Sequence, residues 1–209
     1  VIGYGMMGSS LVKGGLKSGL LKPESVSVVE PDGSRRNAAR SDGLKTVGSL
    51  ADLSGCGAIL ISVKPKDFPS LLGQIRANMD PAKPLFISIA AGITLGLLEE
   101  GLGGASRVAR VMPNIPASVN EAASVYVMNS RATVRDRGFV RRFLTSVGRA
   151  YELEDERSVD AVTGVSGSGP AYFFLMMGAM ESAGVSAGLP KELARSLVAQ
   201  TCRGAGTLA

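Results

Sequence analysis

"VIGYGMMG", residues 1–8, decides how the rest of the chain is read. It ends a short β-type run and enters a helical candidate near residues 7–19. Gly3, Gly5 and Gly8 form G-x-G-x-x-G across that junction. The first glycine permits a tight turn, the second lets a pyrophosphate approach the backbone, and the third lets helix and strand pack closely. Unpaired N–H groups at the helix N-terminus would face the phosphates. A lone match of this kind is weak, and the strand–turn–helix setting is what gives it weight.

The setting continues downstream. "VSVVE" (26–30), "AILISV" (58–63) and "LFISIA" (85–90) are unbroken apolar runs, the pattern of strands buried on both faces of a parallel sheet. "RVARVM" (107–112), "ASVYVM" (123–128) and "AYEL" (150–153) read as further strands. Helical candidates fall near 34–41, 67–79, 94–101 and 134–146. The alternation predicts an α/β fold, a Rossmann-type doubly wound sheet. After "ELEDE" no strand pattern remains. "GPAYFFLMMGAMESAGVSAGL" (169–189) predicts a helix apolar on nearly all sides, hence buried. "PKELARSLVAQTCRGAG" (190–206) predicts another, with Pro190 in its first turn. The expected division is a dinucleotide-binding domain over 1–154 and an all-α domain over 155–209, the latter cut short at its C-terminus.

Composition narrows the function classes. The 209 residues are 45% hydrophobic and 20% charged, with 27 glycines and few aromatics, which suits an α/β nucleotide binder better than a β-sandwich. The net charge of +5 is spread, apart from Arg35-Arg36 and Arg141-Arg142, so nucleic acid is not an expected partner. No membrane-length apolar run and no signal peptide pattern occur, no metal site is expected, and Cys56 and Cys202 read as reduced thiols of a cytoplasmic protein. There is no histidine, which removes the commonest general base.

Several loops at expected strand C-termini converge on the glycine turn, because ligands of such sheets bind where those ends open. Glu30 closes the second strand, where an acidic side chain can take the ribose 2′-hydroxyl of NAD, whereas Arg35 and Arg36 could hold the 2′-phosphate of NADP. The residues leave that choice open. Val63, Lys64 and Pro65 follow one strand, Ala90, Ala91 and Gly92 the next, and "RVMPNIP" (110–116) the one after. Asn114 could hold a nicotinamide carboxamide or simply serve as a turn residue.

The ordered set G-x-G-x-M-G, "SVKP", "SIAAG", "RVMPNIP" and "VSGSGPAYFF" resembles the pyrroline-5-carboxylate reductase family over essentially the whole chain. The resemblance implies a Rossmann domain followed by a helical dimerisation domain. It implies hydride transfer from a nicotinamide cofactor, NADPH favoured and NADH possible, to the C=N bond of 1-pyrroline-5-carboxylate, giving L-proline in the last step of proline biosynthesis. Met6 and Met7 join the cofactor side, and so does Ser49, in a slot often filled by Asn. Gly164 stands where the family commonly has Ala, and a family loop of Ser-Pro-Gly-Gly-Thr-Thr type belongs beyond position 209.

Ser166, Gly167, Ser168, Gly169 and Pro170 would offer backbone N–H groups and hydroxyls to a small carboxylate at the start of the long helix. The plain alternative is a tight turn between helices. No side-chain general acid is assigned, since the long helix carries only Tyr172 and Glu181 as ionisable groups and a cyclic imine can arrive already protonated. Two other readings compete: a related reductase such as a β-hydroxyacid dehydrogenase, and a non-catalytic nucleotide-binding module. The missing lysine on the long helix argues against the first of these.

Overall fold

The computed structural model describes residues 1–209 and divides into two compact units, Val1–Gly167 and Ser168–Ala209. The first unit carries seven strands, β1 (Ser27–Val28), β2 (Lys45–Thr46), β3 (Ala58–Ile61), β4 (Leu85–Ser88), β5 (Arg107–Met112), β6 (Ala122–Met128) and β7 (Gly148–Glu152). Ile2 bridges Val29 on one side and Ile61 on the other, both in parallel, and so joins the β1–β2 pair to the sheet β3-β4-β5-β6-β7. The lateral order is β2, β1, Ile2, β3, β4, β5, β6, β7. Pairing is parallel through β5, antiparallel between β5 and β6, and parallel again between β6 and β7.

The unbroken apolar runs follow from cores on both faces of this sheet. Leu60, Leu85 and Ile87 pack in one core with Leu11 and Val12 of α1 (Met6–Lys17), Ala39 of α2 (Gly33–Ser41), and Val140, Phe143 and Leu144 of α5 (Val134–Thr145). Ile59, Ile61 and Phe86 pack in the other with Phe68, Leu72 and Ile75 of α3 (Phe68–Asn78) and Leu98 and Leu102 of α4 (Leu95–Leu102). Alternate residues of one strand serve opposite faces, so neither set could be polar. Each fully buried Leu or Phe contributes roughly 1.5–3 kcal/mol. Local chemistry starts the helices: Thr94 accepts the Leu97 amide at α4, and Thr133 and Asp136 form a reciprocal cap at α5.

The first unit ends with α6 (Ser158–Val162) and a single π-helical segment, Thr163–Gly167. The compact division therefore falls after Gly167, later than the expected change at residues 154/155. The reason is polar: Arg110 on β5 pairs with Glu156 and Asp160, and Asn114 bonds Ser166, which fastens this last segment to the sheet.

The second unit holds α7 (Gly169–Ser186) and α8 (Lys191–Leu208), packed on each other, with Gly184 facing Ala194 closely enough that a Cβ would sit 3.4 Å from the alanine methyl. Pro190 is the residue capping α8 rather than part of its first turn. The expectation of a buried α7 is not met within this chain. Gly169 is its one buried residue, and Tyr172, Phe173, Phe174, Leu175 and Met176 are each more than half exposed.

Candidate active site

Each glycine of the opening turn has a separate structural cause. Gly3 sits at φ +85°, and a Cβ there would lie 2.6 Å from the Ser62 carbonyl oxygen at the end of β3. A Cβ on Gly8 would lie 2.4 Å from the Ser62 hydroxyl, so helix α1 can approach the sheet only with glycine at that place. Gly5, which caps α1, has nothing within 4 Å of where a Cβ would be. The turn thus presents backbone and open space at its middle glycine, the cradle a pyrophosphate requires. Met6 is exposed and Met7 half-buried beside it.

The parallel strands bring the other expected residues to the same edge. Ser49 follows β2, Val63, Lys64 and Pro65 follow β3, Ala90, Ala91 and Gly92 follow β4, and Asn114 follows β5. Lys64, Pro65, Ala91 and Gly92 are exposed, Val63 is half-buried and Ala90 buried, and Gly92 turns the chain with φ +76°. Ser49 spends its hydroxyl as a cap, accepting the Ala51 amide. A cavity of about 600 Å³ opens at the opposite edge, lined by Ser27, Ala58, Leu85 and Arg107 at strand beginnings, and includes none of these residues.

Three side chains, those of Glu30, Arg36 and Asn114, have partners that their sequence positions do not announce. Glu30 is buried, its Oε2 accepting the Tyr4 amide at 2.7 Å and its Oε1 the Asp32 amide at 2.9 Å. Arg36 turns back and donates to the Glu30 and Pro31 carbonyl oxygens, whereas the exposed Arg35 guanidinium has no partner in the chain. Asn114 is buried, its Nδ2 donating to the Ser166 carbonyl at 3.0 Å and its Oδ1 accepting the Ala123 amide at 2.9 Å. Each end of the Asn114 amide thus takes one backbone partner, which braces the turn after β5.

The expected loop at Ser166–Gly169 is helical instead. Thr163–Gly167 winds as a π-helix, and Ser168 keeps right-handed helical angles, φ −87° and ψ −19°, ahead of α7. A Cβ on Gly167 would reach within 2.8 Å of the Met112 methyl, the mobile end of a flexible side chain that would have to move aside. Single π-turns of this kind recur at functional sites. Ser166 is half-buried, with its hydroxyl donating to the Val162 carbonyl at 3.3 Å. Ser168 and Pro170 are half-buried and Gly169 buried at the opening of the second unit, and Ser168 makes no side-chain cap.

Arg110 and Glu156 form a connection that sequence reading missed. Arg110 Nη1 lies 2.7 Å from Glu156 Oε1, which also accepts the Leu95 amide at the start of α4 over 2.7 Å. One carboxylate thus joins β5, the α4 entry beyond Ala90–Gly92, and the approach to α6. The available signal was a charged residue inside the apolar run "RVARVM", since a buried arginine demands a partner.

Comparison with known proteins agrees with this geometry. A family model described as pyrroline-5-carboxylate reductase dimerisation matches residues 156–209. A second, described as NADP oxidoreductase coenzyme F420-dependent, matches residues 1–92. The pyrroline-5-carboxylate reductase of Pisum sativum is 38% identical over 100% of this chain and 76% of its own length. The solved pyrroline-5-carboxylate reductase of Coxiella burnetii superposes with a TM-score of 0.93 at 30% identity, covering 100% of this chain and 77% of that one. The Plasmodium falciparum pyrroline carboxylate reductase with NADP bound superposes with a TM-score of 0.89 at 32% identity, over 99% of this chain and 76% of that one.

Proposed function

The chain belongs to the pyrroline-5-carboxylate reductase family, and from that premise we propose how its residues divide the work. The protein is an NADP(H)-dependent oxidoreductase that reduces the C=N bond of 1-pyrroline-5-carboxylate to give L-proline. When bound, the reduced nicotinamide supplies the hydride that the imine carbon receives. The open space at Gly5 and the closed packing at Gly3 and Gly8 fit the pyrophosphate of that cofactor. Met6, Met7, Val63, Lys64, Pro65, Ala90, Ala91, Gly92 and Ser49 are assigned to the rest of its surface, with Arg35 as the partner of the 2′-phosphate.

The substrate carboxylate is assigned to the stretch Ser166–Pro170. The observation that carries this is the Asn114–Ser166 bond, which holds the π-turn at the strand end where the cofactor residues gather. Reduction puts a hydride on the ring carbon and leaves a proton on the ring nitrogen. The imine can take that proton from solvent before it arrives, so the chain's task is to orient and to exclude water. No histidine is required, and the chain has none. The test is NADPH oxidation by the purified protein with 1-pyrroline-5-carboxylate. Turnover that depends on the imine supports the assignment, whereas NADPH binding without turnover contradicts it.

A homo-oligomer built through the helical unit completes the proposal. That unit lies within the dimerisation family match, and the row of exposed apolar residues on α7 is what a second copy would cover. Light scattering on the eluted protein should give a dimer or a higher multiple, and a monomer would overturn this. No helix is long and apolar enough to cross a membrane. The free thiols Cys56 and Cys202 support placement in the reducing cytoplasm.

A further inference from the structure

Glu30 occupies the place where an acidic side chain ordinarily receives the ribose 2′-hydroxyl of NAD and repels the 2′-phosphate of NADP. Its geometry here differs from that role. It is 5% exposed, and its two oxygens face inward to amides of different loops. Tyr4, between Gly3 and Gly5, donates its N–H to one oxygen at 2.7 Å, and Asp32, the cap of α2, donates to the other at 2.9 Å. The chain is held further on both sides. Gly3 donates to the Val29 carbonyl at 2.9 Å, and the Tyr4 hydroxyl donates to Asp42 at 2.9 Å, with Lys13 Nζ 3.1 Å from the same carboxylate. Burial, and then Asp42, push the Tyr4 phenol well above its ordinary range, so it stays a donor.

We infer that Glu30 is a positioning residue for the phosphate turn: its carboxylate stitches the Gly3–Gly5 backbone to the start of α2, and it does not read the ribose. The inference rests on the cofactor reading above. Its consequence is specific. A carboxylate whose two oxygens both accept backbone N–H groups has its charge partly offset by those dipoles and its oxygens engaged away from the ribose, so an acidic residue at this place is compatible with NADPH. The turn it shapes meets the pyrophosphate, which NADPH and NADH share, so loss of Glu30 should penalise both cofactors alike.

Glu30→Gln keeps the size but turns an amide NH₂ towards one of the two backbone donors. The measurements are fluorescence titration with NADPH and with NADH, kcat at saturating cofactor, and thermal melting. The expected result is a rise in both dissociation constants by about 10-fold, ~1.4 kcal/mol, with their ratio and kcat unchanged. Glu30→Asp, which retains the charge and reaches one amide, should show a smaller loss of the same parallel form, and it serves if the Gln variant does not fold. A ratio that moves, with NADPH tightened and NADH weakened, overturns the inference in favour of ribose reading. Unchanged dissociation constants with a lowered melting temperature overturn it in favour of a purely structural role. Failure of the parent protein to bind either cofactor would instead sink the cofactor reading itself.

Discussion

Asn114 Nδ2 donates to the Ser166 carbonyl oxygen over 3.0 Å, while its Oδ1 accepts the Ala123 amide. One buried side chain thus fixes the π-turn against β5 and β6. Asn114→Ala should release that turn and raise the KM for 1-pyrroline-5-carboxylate, by the equivalent of roughly 1–3 kcal/mol for buried groups left unpaired. NADPH affinity should change little. Steady-state kinetics beside an NADPH titration decide it: a weakened cofactor with an unchanged substrate KM would restore Asn114 as a carboxamide ligand.

The glycine turn predicts opposite outcomes for two neighbours. Gly5→Val meets open space and ordinary backbone angles, so the fold should survive while NADPH binding falls severely. Gly3→Ala drives a Cβ to 2.6 Å from a backbone oxygen at φ +85°, so it should cost stability, roughly 1–3 kcal/mol. Melting temperature and cofactor titration on both variants separate the two effects. Equal melting temperatures would show that the turn is not packed as described.

Arg35 and Arg36 were equivalent in the sequence and are not in the structure. Arg36 is spent on the Glu30 and Pro31 carbonyl oxygens, whereas the Arg35 guanidinium is free. Arg35→Ala should raise the KM for NADPH more than that for NADH. Arg36→Ala should affect both alike and lower the melting temperature. A selective NADPH defect in the Arg36 variant would reverse the assignment.

Acid stability has an identifiable contributor in Asp136. Burial alone would raise its pKa, but the Thr133 hydroxyl and amide and the Arg107 guanidinium outweigh it and hold the carboxyl below its ordinary value. A depressed folded-state pKa stabilises above the unfolded value near 3.8 and is lost as pH falls through the folded value. Asp136→Asn should therefore lower the melting temperature at neutral pH and narrow the gap to the parent below about pH 4. A gap that stays constant with pH would remove Asp136 from the acid limb.

The strongest parts of the fold were legible because burial on both sheet faces left no room for polar residues. "RVARVM" is β5 over the residues expected, and α1 to α5 fall within a residue or two of their expected bounds, whereas the short α6 has no counterpart among them. β2 was missed because Lys45–Thr46 is a two-residue polar edge with no apolar run to announce it. The burial of α7 was misjudged because apolarity records what a helix must cover but not which chain covers it. Glu30 and Asn114 sat at the right edge, but no spacing rule says which way a carboxylate or amide points, and in the fold backbone groups engage both ends of each. The π-turn was hidden by its glycines, which read equally well as a loop.

The reading of Ser166–Pro170 has its own variants. Ser168→Ala should raise the substrate KM moderately, by the equivalent of roughly 0.5–3 kcal/mol, with NADPH affinity intact. Gly167→Val, which adds a branched side chain and must push the Met112 methyl aside, should do more harm to the substrate side. If Gly167→Val weakens NADPH and spares the substrate KM, the stretch serves the cofactor. If neither variant changes either constant, it is only a link between helices.

Direct hydride transfer to a cyclic imine is what separates a working reductase from a protein that only binds the cofactor. It is tested most directly by incubating the protein with 1-pyrroline-5-carboxylate and NADPH carrying deuterium at the transferable nicotinamide carbon, then analysing the product by mass spectrometry. L-proline should carry one deuterium on the carbon that had been doubly bonded to nitrogen, and should form in step with NADPH oxidation. Bound but unoxidised NADPH, or proline without the label, would contradict it.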